Sequence, residues 1–114
     1  MEIKTIIYWI LLVGMALPSF YFGYAKVVSQ PDKITLFKRL GYSTFFMKLV
    51  GLGEVMSSIG LFFEPTRIFA IGISATILLG AIFSHVRVKD PIKEVMAPVI
   101  VFIHLTAIYI LSIY

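Results

Sequence analysis

The 114-residue chain is 60% hydrophobic and only 14% charged, with a mean hydropathy of +0.98. That leaves too few polar side chains to cover a water-soluble domain, so lipid must face the surplus apolar surface, and residues 1–114 are expected to form a single membrane domain. The net charge of +4 comes from basic residues between apolar runs, where they suit anionic headgroups and leave no water-facing basic surface for nucleic acid. The chain contains no cysteine, which excludes disulfides, thiolate metal sites, iron–sulfur ligation and a dithiol relay.

The expected fold is all-α: a bundle of four transmembrane helices with a short interfacial helix between the first two. The first span runs from about Thr5 to Val28. It is too long for a signal peptide, lacks a small-x-small cleavage site and reads as a retained span. The connection "SQPDKITLFKRLGYS" (29–43) follows. Its apolar Ile34, Phe37 and Leu40 recur at three-residue steps with Lys33, Lys38 and Arg39 between them, and Gly41 can stop it. That is an amphipathic helix, serving either as a headgroup anchor or as a lid over one end of the bundle. A second span runs from about Thr44 to Phe63, and "FEPTR" (63–67) allows only a tight hairpin. A third runs from about Thr66 to Val86. In "RVKDPIK" (87–93), Asp90 can cap the next helix and Pro91 suits its first position. The fourth span runs from about Ile92 to Tyr114. Pro18 and Pro98 predict kinks in the first and fourth spans.

Lys26, Lys33, Lys38, Arg39, Lys48, Arg87, Lys89 and Lys93 fall on the side shared by loops one and three, against Lys4 and Arg67 opposite. The positive-inside rule then places both termini outside and the two basic loops in the cytoplasm. Tyr8, Trp9, Tyr21, Tyr24, Tyr109 and Tyr114 suit interfacial belts. Lipid tails do not push helices together, so close packing needs small residues. Gly72, Thr76, Gly80 and Ser84 form one small stripe on the third span, and Gly53, Ser57 and Gly60 another on the second. Packing within one bundle is the expected use, with a homo-oligomer seam the alternative.

An ionisable group inside the membrane is a site candidate by default. Glu54 lies roughly 12 Å into its helix from the basic side, and His104 about eleven residues into the fourth helix from the same side, so the two could meet. Lys26 can reach toward them along its aliphatic stem, while His85 and Arg87 sit where the third helix exits. Glu54 and His85 are the candidate proton-handling, catalytic residues; Lys26, Arg87 and His104 are the candidate ligand-binding ones. The alternatives are a structural ion pair at Glu54 and a packing role for His104. The two histidines sit at different depths and no ligand spacing such as H-x-x-x-H occurs, so neither haem nor metal is expected. A quinone stacked on the aromatics is a candidate ligand.

"GYAKV" (23–27), "LGYSTFFMKLVGLGEVMSSIGLFF" (40–63) and "AIFSHVRVKDP" (81–91), in this order across nearly the whole chain, resemble the DoxX-like family of small four-helix membrane proteins. The resemblance implies a polar set of Lys26, Glu54, His85 and Arg87, a bacterial inner-membrane location, and for some relatives a quinone-linked oxidoreductase role alongside a membrane redox partner. His104 does not map onto that pattern. Three readings follow: a membrane redox subunit binding a small lipophilic ligand, a non-catalytic adaptor whose polar cluster is structural, and a proton-coupled transporter that would need an oligomer.

Overall fold

The computed structural model describes residues 2–113, which form five helices: α1 (Ile3–Val27), α2 (Pro31–Leu40), α3 (Thr44–Gly60), α4 (Glu64–Arg87) and α5 (Ile92–Ile113). The described residues contain no strand, so the fold is all-α. Helices α1, α4 and α5 are long and apolar enough to cross a membrane. Helix α3 has 17 residues because it ends at Gly60, three residues before the expected Phe63. Tyr114, expected to close the last helix and join an aromatic belt, lies outside the described residues.

Local chemistry explains the helix borders. Ser43 caps α3 by accepting a hydrogen bond from the Phe46 N–H at 3.1 Å. Pro65 lies in the first turn of α4, where a missing N–H costs nothing. The hairpin before it is narrower than "FEPTR" suggested, since Glu64 already belongs to α4. Thr66 Oγ1 donates to the Gly60 carbonyl and Arg67 Nε to the Leu61 carbonyl, which satisfies the carbonyls ending α3.

At the opposite end α1, α2 and α4 all finish in the same way. The next-but-one N–H reaches back five residues, from Gln30 to the Ala25 carbonyl, from Tyr42 to Phe37 and from Asp90 to His85. This closure requires a left-handed residue, supplied by Ser29 (φ 58), Gly41 (φ 89) and Lys89 (φ 58). Prolines 31 and 91 follow two of these turns and keep the chain from continuing as helix.

Helix α1 packs along α3, α3 along α4, α4 along α5, and α5 more loosely on α1, while α2 lies against α3 and α1. The ring has an apolar core at the end away from α2, built from Leu12, Met15, Leu61, Ile71, Leu105 and Ile108 with two alanines. Large apolar side chains also point outward along every long helix, among them Leu17, Phe69, Phe83 and Ile100, each more than 60% exposed. That inside-out surface, on a body 46 Å long, belongs in a bilayer of about 40–45 Å including headgroups.

The closest approach is between α1 and α3. A Cβ added to Gly51 would lie 2.6 Å from the Gly23 carbonyl oxygen, and one on Gly23 would lie 2.7 Å from the Gly51 oxygen. The small residues on α4 behave differently from expectation. Gly72, Thr76 and Gly80 are exposed, and a Cβ on either glycine would meet nothing within 4 Å. They border open space because the α3–α4 contact is made by the neighbouring face of α4, where Ser74 Oγ donates to Ser57 Oγ at 3.1 Å and Ala70 meets Gly60. The second small stripe, on α3, does pack inside the bundle.

Candidate functional site

The Gly23–Gly51 crossing sets the register of the site. The two helices run antiparallel, so Glu54, one turn past Gly51, lies against Gly23, and Lys26, one turn past Gly23, lies against Gly51. The long lysine side chain spans the turn between them, with Lys26 Nζ donating to Glu54 Oε1 at 2.5 Å. Both side chains are largely withdrawn from solvent, at 14% and 15% exposure. Ser57 Oγ, donating to the Glu54 carbonyl at 3.0 Å, and its partner Ser74 tie this turn of α3 to α4.

The pair stands on the wall of a half-open cavity of about 1290 Å³, which all four long helices and α2 line. On α1 its lining residues Gly14, Pro18, Phe22 and Lys26 follow at four-residue steps, so the cavity runs about 18 Å along that helix. The walls are mainly apolar, from Met15, Leu49, Val50, Ile73, Ile77 and Val101. Charged or imidazole groups enter at Lys26, Lys33, Glu54, His85, Glu94 and His104. Lys33, carried by α2, rests over the Phe22 ring at 4.7 Å. Leu36, Phe37 and Leu40 of α2 lie across one end of the cavity.

His104 is on this wall but does not meet Glu54. Its Nε2 donates to the Leu11 carbonyl at 2.9 Å, and its ring abuts Gly14. Glu54 instead packs on Gly23, nine residues further along α1, or about 13 Å. Counting residues from each helix start assumed that α3 and α5 begin at one level. In the fold α2 carries the chain outward, and α3 begins beyond the end of α1.

His85 lines the cavity at its α2 end, with Nδ1 2.5 Å from Asp90 Oδ2. The other oxygen of Asp90 accepts from Arg39 Nη1 of α2. With both oxygens engaged sideways, Asp90 does not cap α5. The Pro91 carbonyl accepts the first helical bonds instead, and Pro91 stays just outside the helix. Arg87 is not part of the cavity wall. It donates to the Leu40 carbonyl at the end of α2 and lies over the Tyr42 ring at 5.3 Å. Ser84 Oγ donates to the Gly80 carbonyl at 2.7 Å, so the Tyr42 hydroxyl, 2.6 Å away, donates to Ser84. Outside the membrane spans, hydrogen bonding from His85 first and Arg39 second holds the Asp90 carboxyl below the ordinary aspartate value of 3.8.

The five polar residues singled out from the sequence thus divide into three places: the Lys26–Glu54 pair, His85 and Arg87 around the end of α2, and His104 of α5, held against α1 deeper in the bundle. Asp90, Arg39, Tyr42 and Ser84 complete the second group, although residue spacing alone does not mark them as partners. The signal for Asp90 was "HVRVKDP": a left-handed turn after a helix brings the residue five places on back over His85.

The DoxX-like family model matches residues 10–108, and the chain belongs to that family. Neither a curated protein nor a solved structure matches it.

Proposed function

Starting from membership of the DoxX-like family, we propose that this small membrane protein binds a small lipophilic ligand in its central cavity and serves as a quinone-linked subunit of a membrane redox system. The observation that carries this reading is the cavity itself: apolar walls, room for a ligand larger than a solvent molecule, and a largely shielded Lys26–Glu54 pair on its side. Glu54 and His85 are the groups that hold and move a proton. Lys26 supplies the positive charge for a ligand oxygen. His104 borders the deep end, where the apolar part of the ligand lies. Arg87 acts indirectly, by fixing the end of α2. Electrons come from a redox partner in the membrane.

In this reading α3 is the fourth span. Its 17 residues reach about 26 Å, and neighbouring spans shield its one carboxylate. The whole chain forms one domain in a bacterial inner membrane. The basic loops face the cytoplasm, α2 lies at the interface, and both termini are outside.

One observation favours a second reading, a non-catalytic adaptor. Lys26, Glu54, His85, Arg87 and His104 each already have a protein partner. Native mass spectrometry on protein released from nanodiscs separates the two, using wild type, Glu54→Gln and the charge-balanced Lys26→Gln/Glu54→Gln. Ligand binding predicts a bound small molecule on wild type that both variants lose. An adaptor predicts bare wild-type protein, a destabilised single variant, and recovery in the double variant. Wild type emerging without any bound species refutes the ligand reading.

A further inference from the structure

We propose that Asp90 is the positioning residue of the cavity: it fixes the His85 ring with Nε2 toward the ligand and, through Arg39, ties that setting to closure of α2. The proposal rests on the ligand-binding reading, and it narrows the ligand class.

A carboxylate only accepts hydrogen bonds. The 2.5 Å contact between His85 Nδ1 and Asp90 Oδ2 therefore places a proton on Nδ1. In the neutral ring Nε2 is then an acceptor. Among the described residues Nε2 has no protein partner, while His85 itself lines the cavity. An acceptor in an apolar cavity selects a donor, so the ligand atom that meets it is a hydroxyl rather than a carbonyl or ether oxygen. A hydroxyl-bearing lipophile of the phenol type fits this requirement.

Asp90 is well placed to hold the ring. Its side chain is 7% exposed, Lys89 turns the chain in the left-handed region, and the Asp90 N–H bonds the His85 carbonyl at 3.0 Å. The same carboxylate accepts from Arg39. Helix α2 is thus strapped across the cavity end by Arg39–Asp90 and Arg87–Leu40, with Tyr42–Ser84 just beyond it. Of these straps, the Asp90 one also touches an imidazole of the cavity wall. If a ligand hydroxyl passes its proton to Nε2, the O–H bond breaks and an N–H bond forms. The positive charge gained by the imidazolium strengthens its hold on the Asp90 carboxylate at the expense of Arg39, which loosens α2. Ligand ionisation and opening of the cavity end are coupled through one residue.

Two measurements on the full chain in nanodiscs test this. The first is ¹⁵N NMR of His85 at alkaline pH with hydrogen exchange of α2. Wild type should show protonated Nδ1 and bare Nε2. Asp90→Asn should give mixed tautomers and faster α2 exchange. Arg39→Gln should keep the tautomer but speed exchange, and Arg39→Lys should restore protection. The second is binding of 4-octylphenol against its methyl ether. Wild type should prefer the phenol by about tenfold, and Asp90→Asn should reduce the preference to about threefold or less. Unchanged His85 nitrogens in Asp90→Asn, or equal binding of the two probes to wild type, overturns the proposal. If neither probe binds wild type, the cavity reading and its ligand class fail together, and the nitrogen shifts still decide whether Asp90 sets the ring.

Discussion

Replacing Gly51 with alanine tests the idea that backbone contact between α1 and α3 creates the polar site. The new Cβ would lie 2.6 Å from the Gly23 oxygen, 2.7 Å from Lys26 Cβ and 3.1 Å from the Val27 nitrogen. The first two distances fall about 0.7 Å short of ordinary contact, and the atoms are backbone or Cβ, which cannot swing aside. The helices must therefore separate. Overpacking of this kind costs about 1–3 kcal/mol, and the absence of a flexible neighbour points to the upper half of that range. The same separation pulls Lys26 from Glu54, so the variant should also lose ligand retention. Gly72→Ala and Gly80→Ala are the controls, since a Cβ there meets nothing within 4 Å. They should be neutral or up to about 1 kcal/mol more stable through helix propensity. Reversible unfolding in mixed micelles measures all three. A Gly51→Ala protein as stable as wild type would show that the crossing has room for a Cβ, and controls that destabilise by as much as Gly51→Ala would show that the effect is not local to it.

Glu54→Gln leaves the Lys26 ammonium buried without its counter-charge and should destabilise by about 3 kcal/mol, with Lys26→Gln/Glu54→Gln recovering part of the loss in a double-mutant cycle. Asp90 has a folded-state pKa below its unfolded value, so its contribution is present above about pH 3.8 and fades as pH falls through the lower folded value. Spin labels on α2 and α4 should accordingly report α2 loosening only below that pH, and Asp90→Asn should be loose at every pH. Ser29→Gly and Lys89→Gly relieve left-handed turns at φ 58 and should each add about 0.5–1 kcal/mol, read from thermal melts. An unchanged melting point in both variants would show that these turns carry no strain.

The five helices and nearly all their borders were legible along the chain. This is because helix ends are local: Gly41 stops α2, Ser43 starts α3 and Pro31 starts α2 through groups within a few residues. Hydropathy likewise identified α1, α4 and α5 as membrane-compatible, since burial in lipid depends on a helix's own side chains. Which polar groups meet depends instead on how the helices cross. Lys26 and Glu54 pair because two glycines let α1 and α3 approach at one register, and His104 misses them because α3 and α5 start at different levels. Asp90, which read as a cap, turned sideways to His85 and Arg39, and Gly72 and Gly80, which read as a packing seam, border the cavity. A side chain's partners across a bundle depend on axial offset and crossing, and one residue of offset moves a group by about 1.5 Å, half the length of a hydrogen bond. Local patterning along a single chain carries no measure of that offset.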